Sequence, residues 1–124
     1  MRLDIKVNLS SEVPDISRHA ERRALLEFGR FGERVASVAV RVMEGPPTAG
    51  APYHCGIAVR VIDDGGTSNL VIAHGQDNDV VRAVDAAIGR AGIRTGGEIA
   101  RADEARRVRL EWMSVRAAAR GVET

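Results

Sequence analysis

Residues 2–9 alternate in polarity: Leu3, Ile5, Val7 and Leu9 share one phase, and Arg2, Asp4, Lys6 and Asn8 the other. A period of two marks a half-buried strand, because successive side chains point to opposite faces. Ser10-Ser11-Glu12-Val13-Pro14 breaks the alternation. Pro14-Asp15 then sits where a helix can begin, since proline is tolerated in a first turn. Over residues 15–33 the period lengthens. Ile16, Ala20, Ala24, Phe28 and Phe31 recur at steps of three or four and line one helical face. Gly29 and Gly32 weaken the last turns and predict the helix end.

Residues 35–43 are β-branched and partly alternating, and predict a second strand. The stretch from Glu44 to Pro52, with Gly45-Pro46-Pro47 and Gly50, cannot continue it. Residues 53–62 predict a third strand with Cys55, Ile57, Val59 and Val61 on one face. Asp63-Asp64-Gly65-Gly66 is a hairpin signal, and residues 68–74 predict the fourth strand. Gly75-Gln76-Asp77-Asn78-Asp79 reads as a turn followed by helix-capping residues. Residues 79–94 predict a second helix with Val80, Val84, Ala87, Ile88 and Ala91 buried. Gly96-Gly97 should end or kink it. Beyond it, Ala105, Val108, Trp112 and Val115 form a helical stripe, while Val108, Leu110 and Trp112 also alternate as in a strand. The Ala, Arg and Glu content favours helix. The expected fold is α+β in the order β-α-β-β-β-α, a two-layer sandwich of a four-stranded sheet with two helices on one face. It spans residues 1–95, and residues 96–124 form a helical C-terminal extension.

The length of 124 residues suits one domain, and 44% apolar with 28% charged residues is a globular balance. Aromatics are scarce at 3%, so the core must come from Val, Ile, Leu and Ala. Cys55 is the only cysteine, which rules out an internal disulfide and suits a reducing cytoplasm. No apolar run approaches the roughly 18 residues of a membrane span, and the N-terminus lacks a signal-peptide apolar block. A cytoplasmic location is therefore expected.

Catalytic readings find little support. His54 and Cys55 are neighbours on a strand, so their side chains point to opposite faces and cannot readily form a thiol–imidazole pair. Cys55 shares its phase with Ile57 and Val59, as a buried structural thiol would. Three histidines and one cysteine lack zinc-ligand spacing. Asp63-Asp64 is first of all a turn, and neither glycine pair is followed by the Lys and Ser/Thr of a phosphate-binding loop. No enzyme activity, metal or cofactor is expected.

Charge is the remaining lead. Seventeen arginines and one lysine balance to a net +1, so binding to nucleic acid requires local clustering. On helix one, His19, Arg22, Arg23 and Arg30 fall on one flank, away from the Ile16–Phe31 face. Arg34 borders this stripe and Glu33 interrupts it. On helix two, Arg82, Arg90 and Arg94 fall opposite the Val80–Val84–Ile88 face. Two readings stay open. These are solvated faces whose local ion pairs contribute a few tenths of a kcal/mol each, or they are a phosphate-binding surface whose affinity comes from counterion release.

The segment Asp79-Val80-Val81-Arg82-Ala83-Val84-Asp85-Ala86-Ala87-Ile88-Gly89-Arg90-Ala91 resembles the second-helix signature of the ribosome hibernation-promoting factors and ribosome-associated inhibitors. Phe28-Gly29-Arg30-Phe31-Gly32-Glu33-Arg34-Val35 resembles the end of that family's first helix running into strand two. The resemblance covers residues 1 to about 95. It implies a non-enzymatic stress-response factor of translation. Such a factor binds small-subunit ribosomal RNA near the decoding region through basic residues of its two helices, and blocks tRNA and messenger. The implied RNA contacts are His19, Arg22, Arg23, Arg30, Arg34, Arg82, Arg90 and Arg94. The family's helix-one lysines fall where this chain has Ala24 and Glu27. Its basic cluster ending helix two falls where this chain reads Ile93-Arg94-Thr95-Gly96-Gly97-Glu98. The alternative is a protein-interaction module that keeps the fold without binding ribosomes, with a homodimer formed through the tail containing Leu110, Trp112 and Met113.

Overall fold

The computed structural model describes residues 1–11, 13, 15–46, 50–63 and 65–123. The chain forms β1 (Arg2–Asn8), α1 (Ile16–Gly29), a 3-10 turn (Gly32–Arg34), β2 (Val35–Glu44), β3 (Tyr53–Ile62), β4 (Ser68–Asp77) and α2 (Val80–Glu123). The expected α+β order is the observed one. Glu12, Pro14, Pro47 and Asp64, which entered the turn and loop expectations, lie outside the described residues.

The four strands form one sheet in sequence order. β1 runs parallel to β2, with Leu3 beside Val38 and Ile5 beside Val40. A parallel pair needs a crossover, and α1 supplies it. β2–β3 and β3–β4 are antiparallel. The β3–β4 hairpin is held by Asp63, whose Oδ1 accepts the Gly65 and Thr67 N–H groups at 2.9 Å each. Gly66 takes φ +80°, as such a turn requires.

Both helices cover one face of the sheet, α1 over β1 and β2, α2 over β3 and β4. The core joins Val38, Val40, Val42, Ile57, Val59 and Ala73 of the sheet to Ala20, Ala24 and Phe28 of α1. Val84, Ala87, Ile88 and Ala91 of α2 complete it. The three-four stripes of the helices and the period-two stripe of β3 are therefore buried faces, while in the stripe over residues 3–9 Leu3, Ile5 and Leu9 are half-buried and Val7 is exposed.

Two boundaries differ from expectation. β4 does not stop at His74 but continues through Gly75 to Asp77. Gly75 is a site of close approach rather than a turn: a Cβ there would fall 2.3 Å from the Ala83 carbonyl oxygen and 2.6 Å from the Ala87 nitrogen. Only glycine lets α2 lie this near the strand. The predicted capping residues do start α2, since Asp79 Oδ1 accepts the Val81 and Arg82 N–H groups at 2.8 and 3.3 Å.

The second difference is larger. Gly96-Gly97 neither end nor kink α2, which runs unbroken for 44 residues, about 66 Å at the usual rise. A helical glycine costs about 1 kcal/mol relative to alanine. Here Thr95 is fully buried, Phe31 lies 3.8 Å from where a Gly96 Cβ would stand, and Ile99 packs against the core, which offsets that cost. The tail is therefore helical, and the period-two alternative at residues 108–112 is not taken. Every residue from 103 to 121 is exposed. No helix among the described residues is long and apolar enough to cross a membrane.

Candidate nucleic-acid interface

The eight basic residues singled out by the sequence divide into two groups by partner. His19 and Arg23, one turn apart on α1, both reach Asp85 on α2. His19 Nε2 lies 2.8 Å and Arg23 Nε 3.1 Å from the same Oδ1. All three side chains are 30–40% exposed, so the cluster acts as a clamp between helices at the surface. Arg30 donates to Glu27 at 3.0 Å and its guanidinium sits 4.6 Å above the Phe31 ring. Arg34 donates to the Ile62 carbonyl at 3.1 Å and to Asp103 at 2.9 Å, tying the start of β2 to the end of β3 and to α2. Each of these four already has a partner within the fold.

The other four are not compensated. Arg22 and Arg82 are exposed, and their side chains make no hydrogen bond or ion pair among the described residues. Arg90 and Arg94 reach past the flank of α2 to the outer edge of β4. There they donate to the His74 carbonyl at 2.6 Å and to the Ile72 carbonyl. The four-residue helical step of about 6 Å nearly matches the two-residue strand step of about 6.8 Å, so one arginine meets each outward carbonyl. This covers an edge strand that would otherwise invite further pairing. Because these acceptors are neutral, both guanidinium groups keep their full charge, with further N–H groups available.

Arg90 also opens onto a surface that sequence reasoning did not single out. The sheet face away from the helices carries Arg2, Lys6, Arg41 and Arg60, with Asp4 as its acidic residue, and His54 and His74 beside them. The register sets Lys6 next to Arg41, and Arg41 next to Gly56 and then His74, in one row. Since Gly56 has no side chain, the row sinks into a concavity lined by Arg41, Met43, His54, His74, Gln76 and Arg90. The polar phase of the strand alternations is the signal that finds these residues. The strand order that makes them neighbours is not written in that phase.

Cys55 and His54 lie on opposite faces of β3. Cys55 is buried under the helices, and burial pushes its thiol up to about 11. Among the described residues no three His, Cys, Asp or Glu side chains are grouped to hold a metal ion.

No family model matches the sequence, and no curated protein does. The fold, however, has solved relatives. A ribosomal subunit interface protein from Coxiella burnetii superposes with a TM-score of 0.57 at 10% identity, over 79% of this chain and 97% of that one. The N-terminal domain of Protein Y from Thermus thermophilus gives 0.57 at 20% identity, over 77% of this chain and 96% of that one. At these identities the likeness is one of fold. Nearly all of each relative is matched, while about a fifth of this chain has no counterpart in them.

Proposed function

We propose that this chain is a non-enzymatic, ribosome-associated factor of the cytoplasm that binds small-subunit ribosomal RNA and restrains translation under stress by occupying the site. The observation that carries the reading is the shared fold, which a ribosomal subunit interface protein also has. The surface supports it. Arg22, Arg82, Arg90 and Arg94 retain uncompensated charge, and Arg90 opens onto the sheet face that carries Lys6, Arg41 and Arg60. Arginine suits phosphate because its planar fork donates two parallel hydrogen bonds. His19, Arg23 and Arg34 enter this reading as supports that tie neighbouring elements together, and Arg30 as a residue paired with Glu27 of its own helix. Their contribution to RNA is secondary, since each would have to leave a partner. The described surface shows no aromatic platform on the basic face, which favours contacts to backbone and shape over stacking on single-stranded bases.

The test is sedimentation of native extract through sucrose at low and moderate salt. Co-migration with small subunits or whole ribosomes that weakens with salt is the expected result. Migration only at the top of the gradient at low salt would overturn the proposal. In a purified system, Arg82→Gln and Arg90→Gln should each flatten the dependence of log affinity on log salt by about 1 if each removes one phosphate contact. Arg90→Lys should restore most of that slope.

A further inference from the structure

The segment of α2 from residue 103 to 121 projects beyond the sheet with every residue exposed. It nonetheless carries Val108, Trp112 and Val115, at 39%, 64% and 59% exposure. Ala105, Val108, Trp112, Val115 and Ala119 follow one another at steps of three, four, three and four. That is the a/d repeat of a two-stranded coiled coil, with Ala105, Trp112 and Ala119 at a, and Val108 and Val115 at d. The step order fixes the flanking positions without further choice. Glu104 and Glu111 fall at g, and Arg109 and Arg116 at e.

We infer that this stripe is a dimer seam, and that its occupant is the same stripe of a second copy of the chain running parallel and in register. The flanking charges choose the partner and the direction. In a parallel pair each g residue faces the e residue five positions further along the other helix. Glu104 then meets Arg109 of the second copy, and Glu111 meets Arg116, twice over by symmetry. In an antiparallel pair g faces g and e faces e, which sets glutamate against glutamate and arginine against arginine. Arg109, Glu111 and Arg116 make no ion pair within the chain among the described residues, and Glu104 is held only by the exposed Arg107 at 2.7 Å. The groups that the seam needs are therefore available. The side of α2 that packs on the sheet, followed from Val84 and Ile88 through Ala91 and Thr95, lies roughly a third of a turn round from the stripe at about 100° per residue; the stripe comes near the domain at its first turn, where Ala105 and Arg109 line a concavity with Arg34, Asp63 and Thr67. The inference does not depend on ribosome binding: the seam uses none of the arginines assigned to RNA.

Trp112 is the only tryptophan and sits at the centre of the seam, so it reports the event directly. Light scattering of the full chain across micromolar concentrations should show a monomer giving way to a dimer. Trp112 emission should shift to the blue over the same range. Glu104→Arg with Glu111→Arg places like charges at every facing e/g pair and should weaken the dimer at least tenfold. Adding Arg109→Glu and Arg116→Glu to that variant exchanges the signs and should restore it. Val115→Cys should form an interchain disulfide on mild oxidation, because equivalent d positions meet only in a parallel, in-register pair; the buried Cys55 does not interfere. A monomer at all concentrations with unshifted emission would overturn the inference. So would a dimer indifferent to the charge exchange, or one that Val115→Cys fails to cross-link. Ribosome sedimentation of the charge-reversed variant separates the two readings, since loss of the dimer should leave co-migration in place.

Discussion

The Thr95 hydroxyl is fully buried in α2 with no hydrogen-bond partner among the described residues. A buried, unsatisfied polar group carries a desolvation penalty of about 1–3 kcal/mol. Thr95→Val keeps the shape and removes the hydroxyl, so it should stabilise the protein by about 1 kcal/mol, read as a higher midpoint in urea at unchanged slope. Gly75 predicts the opposite sign. An alanine there meets backbone atoms of α2, which cannot rotate away, and overpacking of this kind costs about 1–3 kcal/mol. Gly75→Ala should therefore lower the midpoint, and a variant as stable as the parent would contradict the close approach. Cys55, with its thiol raised to about 11, should be almost wholly protonated at pH 8 and resist a thiol reagent until the protein unfolds. Burial of Cys55 was legible from its phase with Ile57 and Val59. The role of Gly75 was not, because a glycine followed by Gln-Asp-Asn-Asp has the composition of a turn. Its need arises only when a helix from later in the chain lands on it.

At the scale of elements, sequence spacing located the faces of both helices but not the partners of the residues on them. His19 and Arg23 fall on the polar flank of α1 as the periodicity predicts. What periodicity cannot show is that Asp85, sixty-odd positions later, sits between them. The same holds for Arg90 and Arg94, whose acceptors are carbonyls of a strand edge. Asp85→Asn keeps a hydrogen-bond acceptor and removes the charge. With the cluster partly solvated, the loss should be modest, on the order of 1 kcal/mol, and should shrink further in high salt. A second joint lies where the β1–α1 connection meets the end of β2. There the Glu44 carboxylate accepts from the Ser10 N–H at 2.9 Å and from the Ser10 hydroxyl. These bonds favour the charged form and hold Glu44 below its ordinary 4.5. The joint is therefore intact above that value and released as the pH falls through the lowered one. A titration of the Ser10 amide shift by NMR should show a midpoint below 4.5; a midpoint at or above it would mean the contact is not made in solution.

For the whole molecule, the α+β architecture was readable because each strand and helix stripe keeps one period over its length, and consecutive elements in so short a chain have few ways to pack. The reach of α2 was not readable in the same way, because Gly96-Gly97 looks like a stop, whereas buried Thr95, Ile99 against the core and Phe31 beside Gly96 keep this stretch packed on the domain. The result is a helix with two regimes. Its first half shares the cooperative core, so its amides should open only with global unfolding. The part beyond residue 103 is exposed throughout to residue 121 and takes no share in the buried core, yet it escapes the nucleation penalty because the packed half already supplies the first turns. It should thus be helical but shallowly protected. In dilute protein, native-state hydrogen exchange should find amides of residues 105–118 exchanging roughly a hundredfold or more faster than those of 84–91, as expected for fraying against global opening. Raising the concentration should slow the first group and leave the second unchanged, since a second copy on the stripe stabilises only the projecting turns by mass action. Uniform protection along α2 at every concentration would mean that the projecting helix is held against its own domain, and would contradict both the exposed tail and the seam built on it.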